Sequence, residues 1–191
     1  MCCLYYYDHG TIEAVKRIVG NTINSSFKGE VHPTDKALII TGKGNALAAA
    51  DMRWGFLGGA DSKQLMINAR AESALEKKSF SESVLRRRCI IPAKHFYEWN
   101  AQKNKATFTW DESPSLYMAG FWNYFGADSR FIILTTEAND SMRKVHDRMP
   151  LILPENQIRD WIHEDDMVRD FLAQPSPMLS KYQEYEQLTL W

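Results

Sequence analysis

The chain has 191 residues, 45% of them hydrophobic and 12% aromatic, enough apolar material for one compact domain with a sizeable core and too much for a disordered chain. A formal charge of -1, from 23 basic against 24 acidic residues, excludes a protein that grips nucleic acid through a general positive field, so any phosphate contact must be local. Three cysteines, two of them adjacent, make neither a disulfide framework nor a zinc spacing, and no stretch approaches the ~18 apolar residues of a membrane span, so the expectation is a soluble, reduced, cytoplasmic monomer without metal or cofactor, nucleoid-associated if bacterial.

The aromatic, β-prone run 2–7 predicts an N-terminal strand. Ile12, Val15, Ile18 and Val19 recur at helical spacing and predict a helix over 11–19, stopped by Gly20. Residues 29–33 read as loop. Strands at 37–41 and 46–56 flank a turn at Gly42, Lys43, Gly44 and Asn45, and a loop at 58–62 leads to a short strand at 65–68. Helical patterns follow at 72–77 and 79–87, the second ending in Arg86, Arg87 and Arg88, where cations suit a helix C-terminus. Strands are predicted at 89–91, 95–99, 106–110, 116–121 and 130–136, with turn spacing that favours antiparallel pairing. Asn139 or Asp140 would cap a short helix ending near His146, and two more helices are predicted at 154–162 and 165–172. No repeat, linker or domain boundary interrupts the chain. The fold class is α+β, a single domain in which a largely antiparallel sheet curls around one core with helices at its periphery.

Cys2 lies directly behind Met1. A cysteine is small enough for an aminopeptidase to tolerate there, and removal of Met1 would expose an α-amine and a thiol on adjacent carbons. Such an aminothiol captures aldehydes. The amine condenses to a Schiff base and the thiol closes a five-membered thiazolidine, which neither an internal cysteine nor a lysine can form. Unperturbed α-amines titrate near ~7.7–8.0 and thiols near ~8.5, so both nucleophiles exist in usable fraction at neutral pH. On this position alone, an accidental cysteine is the preferred reading.

Other residues are equally ambiguous on pattern. Phe96, Glu98 and Asn100 share one strand face and His95, Tyr97 and Trp99 the other, which makes Glu98 the outward residue of a half-buried strand. His146, after Arg143 and Lys144, reads as a helix C-terminal residue. Asn68 and Arg70 would share a strand face, an amide beside a cationic fork. An ordinary surface Arg70 paired with Glu72 stands level with that reading. Trp54 reads on pattern as a strand-edge core residue.

Taken together, Trp54-Gly55-Phe56, Ile67-Asn68-Ala69-Arg70-Ala71-Glu72, Arg87-Arg88-Cys89, Phe96-Tyr97-Glu98-Trp99 and His146-Asp147-Arg148-Met149-Pro150, in this order behind Cys2, closely resemble the SOS-response-associated peptidase (SRAP) family over about residues 1–154. The resemblance implies a protein that captures the ring-opened aldehyde of an abasic site in single-stranded DNA as a thiazolidine on the processed cysteine, shielding the lesion. It assigns catalytic roles to Cys2, Asn68, Glu98 and His146: Glu98 moves protons, His146 protonates the ring oxygen of the closed sugar, and Asn68 orients the opened sugar. Arg70 and Arg148 would contact phosphates, Trp54 would stack on or block bases, and the Thr135 hydroxyl would reach the site. The other histidines and Arg86 to Arg88 match no such role and read as structural.

The chain departs from the family pattern where Cys3 and Leu4 replace the usual Gly and Arg, and where the family's C-terminal His-Pro-Val and Val-Asn blocks have no counterpart. The expectation is therefore one SRAP-like domain over 1–191, with a C-terminal part shorter than usual. Two other functions compete: a thiol peptidase using Cys2, His146 and Glu98, which needs only the thiol, and a non-catalytic single-stranded DNA binding module, which needs neither thiol nor free amine.

Overall fold

The computed structural model describes residues 2–20, 23, 28–58 and 64–183. Strand β1 (Leu4–Tyr7) leads into helix α1 (His9–Val19), where the Asp8 side chain accepts from the Thr11 amide at 2.9 Å and Gly20 closes the helix in the left-handed region. Ile12, Val15 and Val19 form its buried face, as their spacing predicts. Residues 29–31, expected as loop, instead make β2 (Gly29–Val31), because β1 offers an open antiparallel edge on which Val31 buries completely opposite Tyr5. The long hairpin of β3 (Lys36–Lys43) and β4 (Ala46–Trp54) follows the predicted turn. Next come β5 (Phe56–Leu57), β6 (Leu65–Met66) and β7 (Asn68–Arg70); the loop expected at 58–62 lies almost wholly outside the described residues.

The helix expected at 72–77 shrinks to one 3-10 turn, Ala71–Ser73, followed by turns. Too few apolar positions lie in that segment to offset the cost of nucleating a helix. Helix α2 (Ser81–Arg86) precedes β8 (Arg88–Ala93), β9 (His95–Trp99), β10 (Lys105–Thr109), β11 (Leu116–Phe125) and β12 (Asp128–Glu137). No helix forms between Asn139 and His146. The Asn139 backbone carbonyl accepts from Met142 and Arg143, but the Asn139 side-chain amide donates sideways to the Ser176 and Pro177 carbonyls, so the chain makes a pinned run of turns before β13 (Arg148–Pro150). Helices α3 (Ile158–His163) and α4 (Val168–Ala173) each begin with a 3-10 turn, and β14 (Ser180–Gln183) completes the described chain.

Two sheets organise the domain. Strands β11, β8, β3, β4 and β12 are hydrogen-bonded in that order and β12 returns to β11, closing a barrel-like ring. The second sheet runs β14-β10-β9-β1-β2. Pairing is antiparallel except where β12 meets β4 and β7. The division of labour along β12 positions the site. Arg130 and Phe131 pair with β4 inside the ring, whereas Ile133, Leu134 and Thr135 pair with β7, and Thr135, Thr136 and Glu137 with β13. Its far end is therefore flanked by the Asn68 strand on one edge and the Arg148 strand on the other.

The core fills the barrel and the space between the sheets, with Trp54, Trp161, Tyr5, Tyr7, Phe56 and Phe121 fully buried. At Gly55, φ is 104° and an added Cβ would lie 2.7 Å from Leu65 Cδ1, so only glycine permits the kink that separates β4 from β5. The Gly55 amide donates to the Phe131 carbonyl at 2.8 Å, and its carbonyl accepts from Arg130 Nη1 at 3.0 Å.

Candidate active site around Cys2

Cys2 immediately precedes β1, whose register against β9 sets Leu4 opposite Tyr97 and Tyr5 opposite Phe96. The same register carried one step further sets Cys3 opposite Glu98. Cys2 is 1% exposed, with Sγ 3.9 Å from the Leu4 carbonyl. Burial pushes its thiol far above the ordinary range, and the Glu98 charge pushes it further. The half-buried Cys3 thiol is raised by the same two causes in the same order. Both thiols are therefore neutral at physiological pH.

From the other side Asn68, on β7, donates from Nδ2 to the Cys2 carbonyl at 2.8 Å. Its Oδ1 is buried and has no hydrogen-bond partner among the described residues. A buried amide oxygen left in this state costs stability unless something arrives to satisfy it.

Glu98 does not face outward as its alternation predicts. It is 3% exposed, on the inner side of the sheet with Phe96, Ala106 and Phe108, and its Oε2 accepts from the Trp99 amide at 3.3 Å. The period of two is correct and the choice of face is not. His95, Tyr97 and Trp99, which resemble core residues, form a half-buried outer cluster in which Tyr6 stacks on His95 at 4.9 Å and Lys105 Nζ sits 3.6 Å from the centre of the Tyr97 ring.

His146 ends the run of turns that enters β13. Its Nδ1 lies 2.9 Å from the Arg148 amide and 2.9 Å from Asp147 Oδ1. One nitrogen cannot both accept from the first and donate to the second. The backbone N–H is a fixed donor whereas the Asp147 side chain is 87% exposed, so Nδ1 accepts and the ring proton sits on Nε2. Arg148 does not offer its fork to solvent. Nη1 and Nη2 donate to the two Glu72 oxygens at 2.8 Å each, and Nη2 also donates to the Thr135 carbonyl at 2.5 Å. This pairing holds the Glu72 carboxyl below the usual range despite its partial burial. The surface pairing considered for Arg70 thus belongs to Arg148. Arg70 itself is exposed and, with Arg143, Arg148, Glu137, Ala138 and Asp147, lines a polar groove of about 530 Å³.

Two residues leave the predicted site. Trp54 is 0% exposed, donates from Nε1 to the Ile67 carbonyl at 2.9 Å, and packs against Tyr5 and Phe131 at ring separations of 5.2 and 6.3 Å. A ring with no accessible face cannot stack on a base, so Trp54 is a core tryptophan. Thr135 is equally buried and its hydroxyl donates to the Ala69 carbonyl at 3.4 Å, tying β12 to β7. Trp54→Ala is expected to lower unfolding free energy by about 3–5 kcal/mol. Trp54→Phe should retain the affinity of the folded protein for undamaged single strands; a folded Trp54→Phe protein that lost this affinity in a fluorescence anisotropy titration would return the residue to the interface.

A family model described as SOS response associated peptidase (SRAP) matches residues 1–190. The chain belongs to the SRAP family. This SRAP chain is 34% identical over 164 residues to a Bacillus subtilis protein named abasic site processing protein YoqW, covering 76% of this chain and 73% of that one. It is 33% identical over 155 residues to YoaM of the same organism, named likewise, covering 74% and 68%. A crystal structure of a Bordetella bronchiseptica protein superposes with a TM-score of 0.80 at 24% identity, covering 97% of this chain and 100% of that one, and shows the same fold.

Within the SRAP fold, sequence reasoning missed Arg143 and Glu137 as groove residues: Arg143 lies in the pinned turns after β12, and Glu137 is the last residue of β12, one beyond the predicted strand. Glu72 carried a legible signal, standing two residues beyond Arg70 in a recognisable block, but its partner proved to be distant in sequence. Among the described residues no group of three or more His, Cys, Asp or Glu side chains is arranged to hold a metal ion, and no helix is long and apolar enough to cross a membrane.

Proposed function

We propose that this chain processes abasic sites in single-stranded DNA by covalent capture, closing a thiazolidine between the Met1-processed Cys2 and the aldehyde of the opened sugar. The relatives' names support abasic site processing as the general role. The observation that carries the finer reading is the clasp of Asn68 on Cys2: Nδ2 fixes the Cys2 carbonyl at 2.8 Å and leaves a buried, unpartnered Oδ1 beside it. That oxygen would accept from the freed Cys2 amine or from a hydroxyl of the opened sugar, the two donors the reaction brings there.

The chemistry divides among residues in a defined order. As the ring C–O bond breaks, His146 relays to the ring oxygen the proton that the anomeric hydroxyl gives up, so the imidazole ends in the state in which it began and the aldehyde is released. The Cys2 amine adds to the aldehyde carbon and water leaves, giving the Schiff base. The thiol then adds across the C=N bond: a C–S bond forms, the sulfur proton passes through Glu98, and the nitrogen receives a proton. Aldehyde plus aminothiol thus gives thiazolidine plus one water. Arg70, exposed at the groove, would contact the flanking phosphate, with Arg148 contributing if it shares its fork with Glu72.

The upward shift of the buried thiol favours this reading over a thiol peptidase. A peptidase nucleophile is activated by a depressed pKa or an adjacent imidazole. Here burial and Glu98 work in the opposite direction. Amine-first capture tolerates a neutral thiol because the sulfur acts only after the electrophilic Schiff base has formed. Intact mass after incubation with an abasic single-stranded oligonucleotide tests the proposal. The expected product is the Met1-free protein plus the oligonucleotide minus one water; reaction of protein that retains Met1 to the same product would overturn it.

A further inference from the structure

The Arg86, Arg87 and Arg88 run, which plays no part in the proposed capture chemistry, lines a second pocket on another part of the fold, built from α2, the β3 turn and α3. Its volume is about 170 Å³, and Thr41, Gly42, Trp122 and His163 complete the walls. Arg88 is the foundation. Its side chain is 1% exposed, and its donors are used by the Trp161, Ile162, Val84 and Leu85 carbonyls and by Asp165 at 2.8 Å. Arg86 pairs with the same Asp165, and Arg87 spends Nη1 on Glu82 at 3.0 Å and Nη2 on the Ser83 hydroxyl at 3.3 Å. Three guanidiniums therefore face two carboxylates, leaving one positive charge in excess.

Two nitrogens of this pocket's residues remain unused. Arg87 Nε and His163 Nε2 are each buried and have no hydrogen-bond partner among the described residues. Thr41, which lines the same pocket, accepts on its hydroxyl from Trp122 Nε1 at 3.1 Å, which leaves its own hydrogen to donate. Gly42 allows the close approach: an added Cβ would stand 3.1 Å from His163 Cε1 and 3.1 Å from Ile162 Cγ2. A guanidinium N–H, an imidazole that can carry its proton on Nε2 and a hydroxyl form a donor-rich lining with excess positive charge, complementary to an acceptor-only ligand. The volume admits a phosphate group.

We propose that this pocket binds a phosphate-group oxyanion, with the Arg87 and His163 side chains turning their buried, unpartnered Nε and Nε2 toward it and the Thr41 hydroxyl adding a third donor. The ligand is a free phosphate or the terminal phosphate of a DNA strand, which present the same oxygens. The test titrates the full-length protein with inorganic phosphate, and in parallel with undamaged 5′-phosphorylated and 5′-hydroxyl oligonucleotides, all at matched ionic strength in chloride. The readouts are the thermal midpoint and the ¹⁵N resonances of the His163 imidazole. Phosphate is expected to raise the midpoint saturably and to shift the His163 signals. Arg87→Lys, which keeps the charge but loses the Nε donor, should weaken binding about tenfold, as should Gly42→Ala through crowding of His163. A shift produced by the 5′-phosphorylated strand but not the 5′-hydroxyl strand places a strand terminus in the pocket; a response to inorganic phosphate alone identifies a free anion. No saturable response beyond chloride in either arm, or identical titrations for the wild type and a folded Arg87→Lys protein, overturns the proposal. Crosslinking through Cys2 is read separately, so failure here leaves the capture reading intact.

Discussion

Cys2→Ala is expected to abolish the heat-stable adduct with abasic single-stranded DNA, the largest effect any single substitution should have on this protein. Alanine keeps the α-amine, so a Schiff base still forms, but that product hydrolyses reversibly and does not survive heating. Cys2→Ser isolates the role of sulfur. An oxazolidine closed by serine is far more labile than a thiazolidine, so the serine protein should give crosslinks that trap with borohydride yet disappear at elevated temperature. Denaturing gels run with and without prior heating check this. Equally heat-stable products from the wild type and the Cys2→Ser protein would remove the thiazolidine from the mechanism while leaving amine capture in place.

The candidate site was legible in the sequence only through the ordered blocks that resemble the family, because on pattern alone Cys2, Asn68 and His146 each have an ordinary reading. The aminothiol at Cys2, the Asn68 strand and the His146-Asp147-Arg148 block could all be named before any packing was known, and the structure joins Cys2 directly to Asn68. What failed was a choice of surface. Trp54 offers the same letters whether it stacks on a base or fills a core, and only its contacts with Tyr5, Phe131 and the Ile67 carbonyl decide. On pattern alone Glu98 falls on the wrong face because Tyr97 and Trp99 on one side of its strand outweigh Phe96 beside a carboxylate on the other, and only the block Phe96-Tyr97-Glu98-Trp99 reverses that reading. The missing helix before His146 and the unexpected strand at Gly29–Val31 share one cause. Each is short, and tertiary partners such as Tyr5 opposite Val31 or Ser176 and Pro177 on Asn139 override weak local preference.

Glu98→Gln and His146→Ala should slow crosslinking at saturating DNA by about 10²–10⁴-fold, the usual worth of a positioned proton-transfer group, while leaving affinity for intact strands nearly unchanged. Arg70→Ala should do the reverse, weakening affinity with a nearly normal rate once bound. Glu98 permits a sharper test. Its negative charge is second only to burial in raising the Cys2 thiol. Removing that charge must therefore lower the thiol pKa, and the pH profile for alkylation of Cys2 should move toward lower pH in Glu98→Gln. A more readily ionised thiol that nevertheless crosslinks more slowly would separate nucleophilicity from proton transfer, because improvement in the first could not then explain loss in the second. If alkylation shifts as expected but crosslinking proceeds at the wild-type rate, Glu98 only tunes the thiol, and the proton released on ring closure passes directly to water or to the sugar.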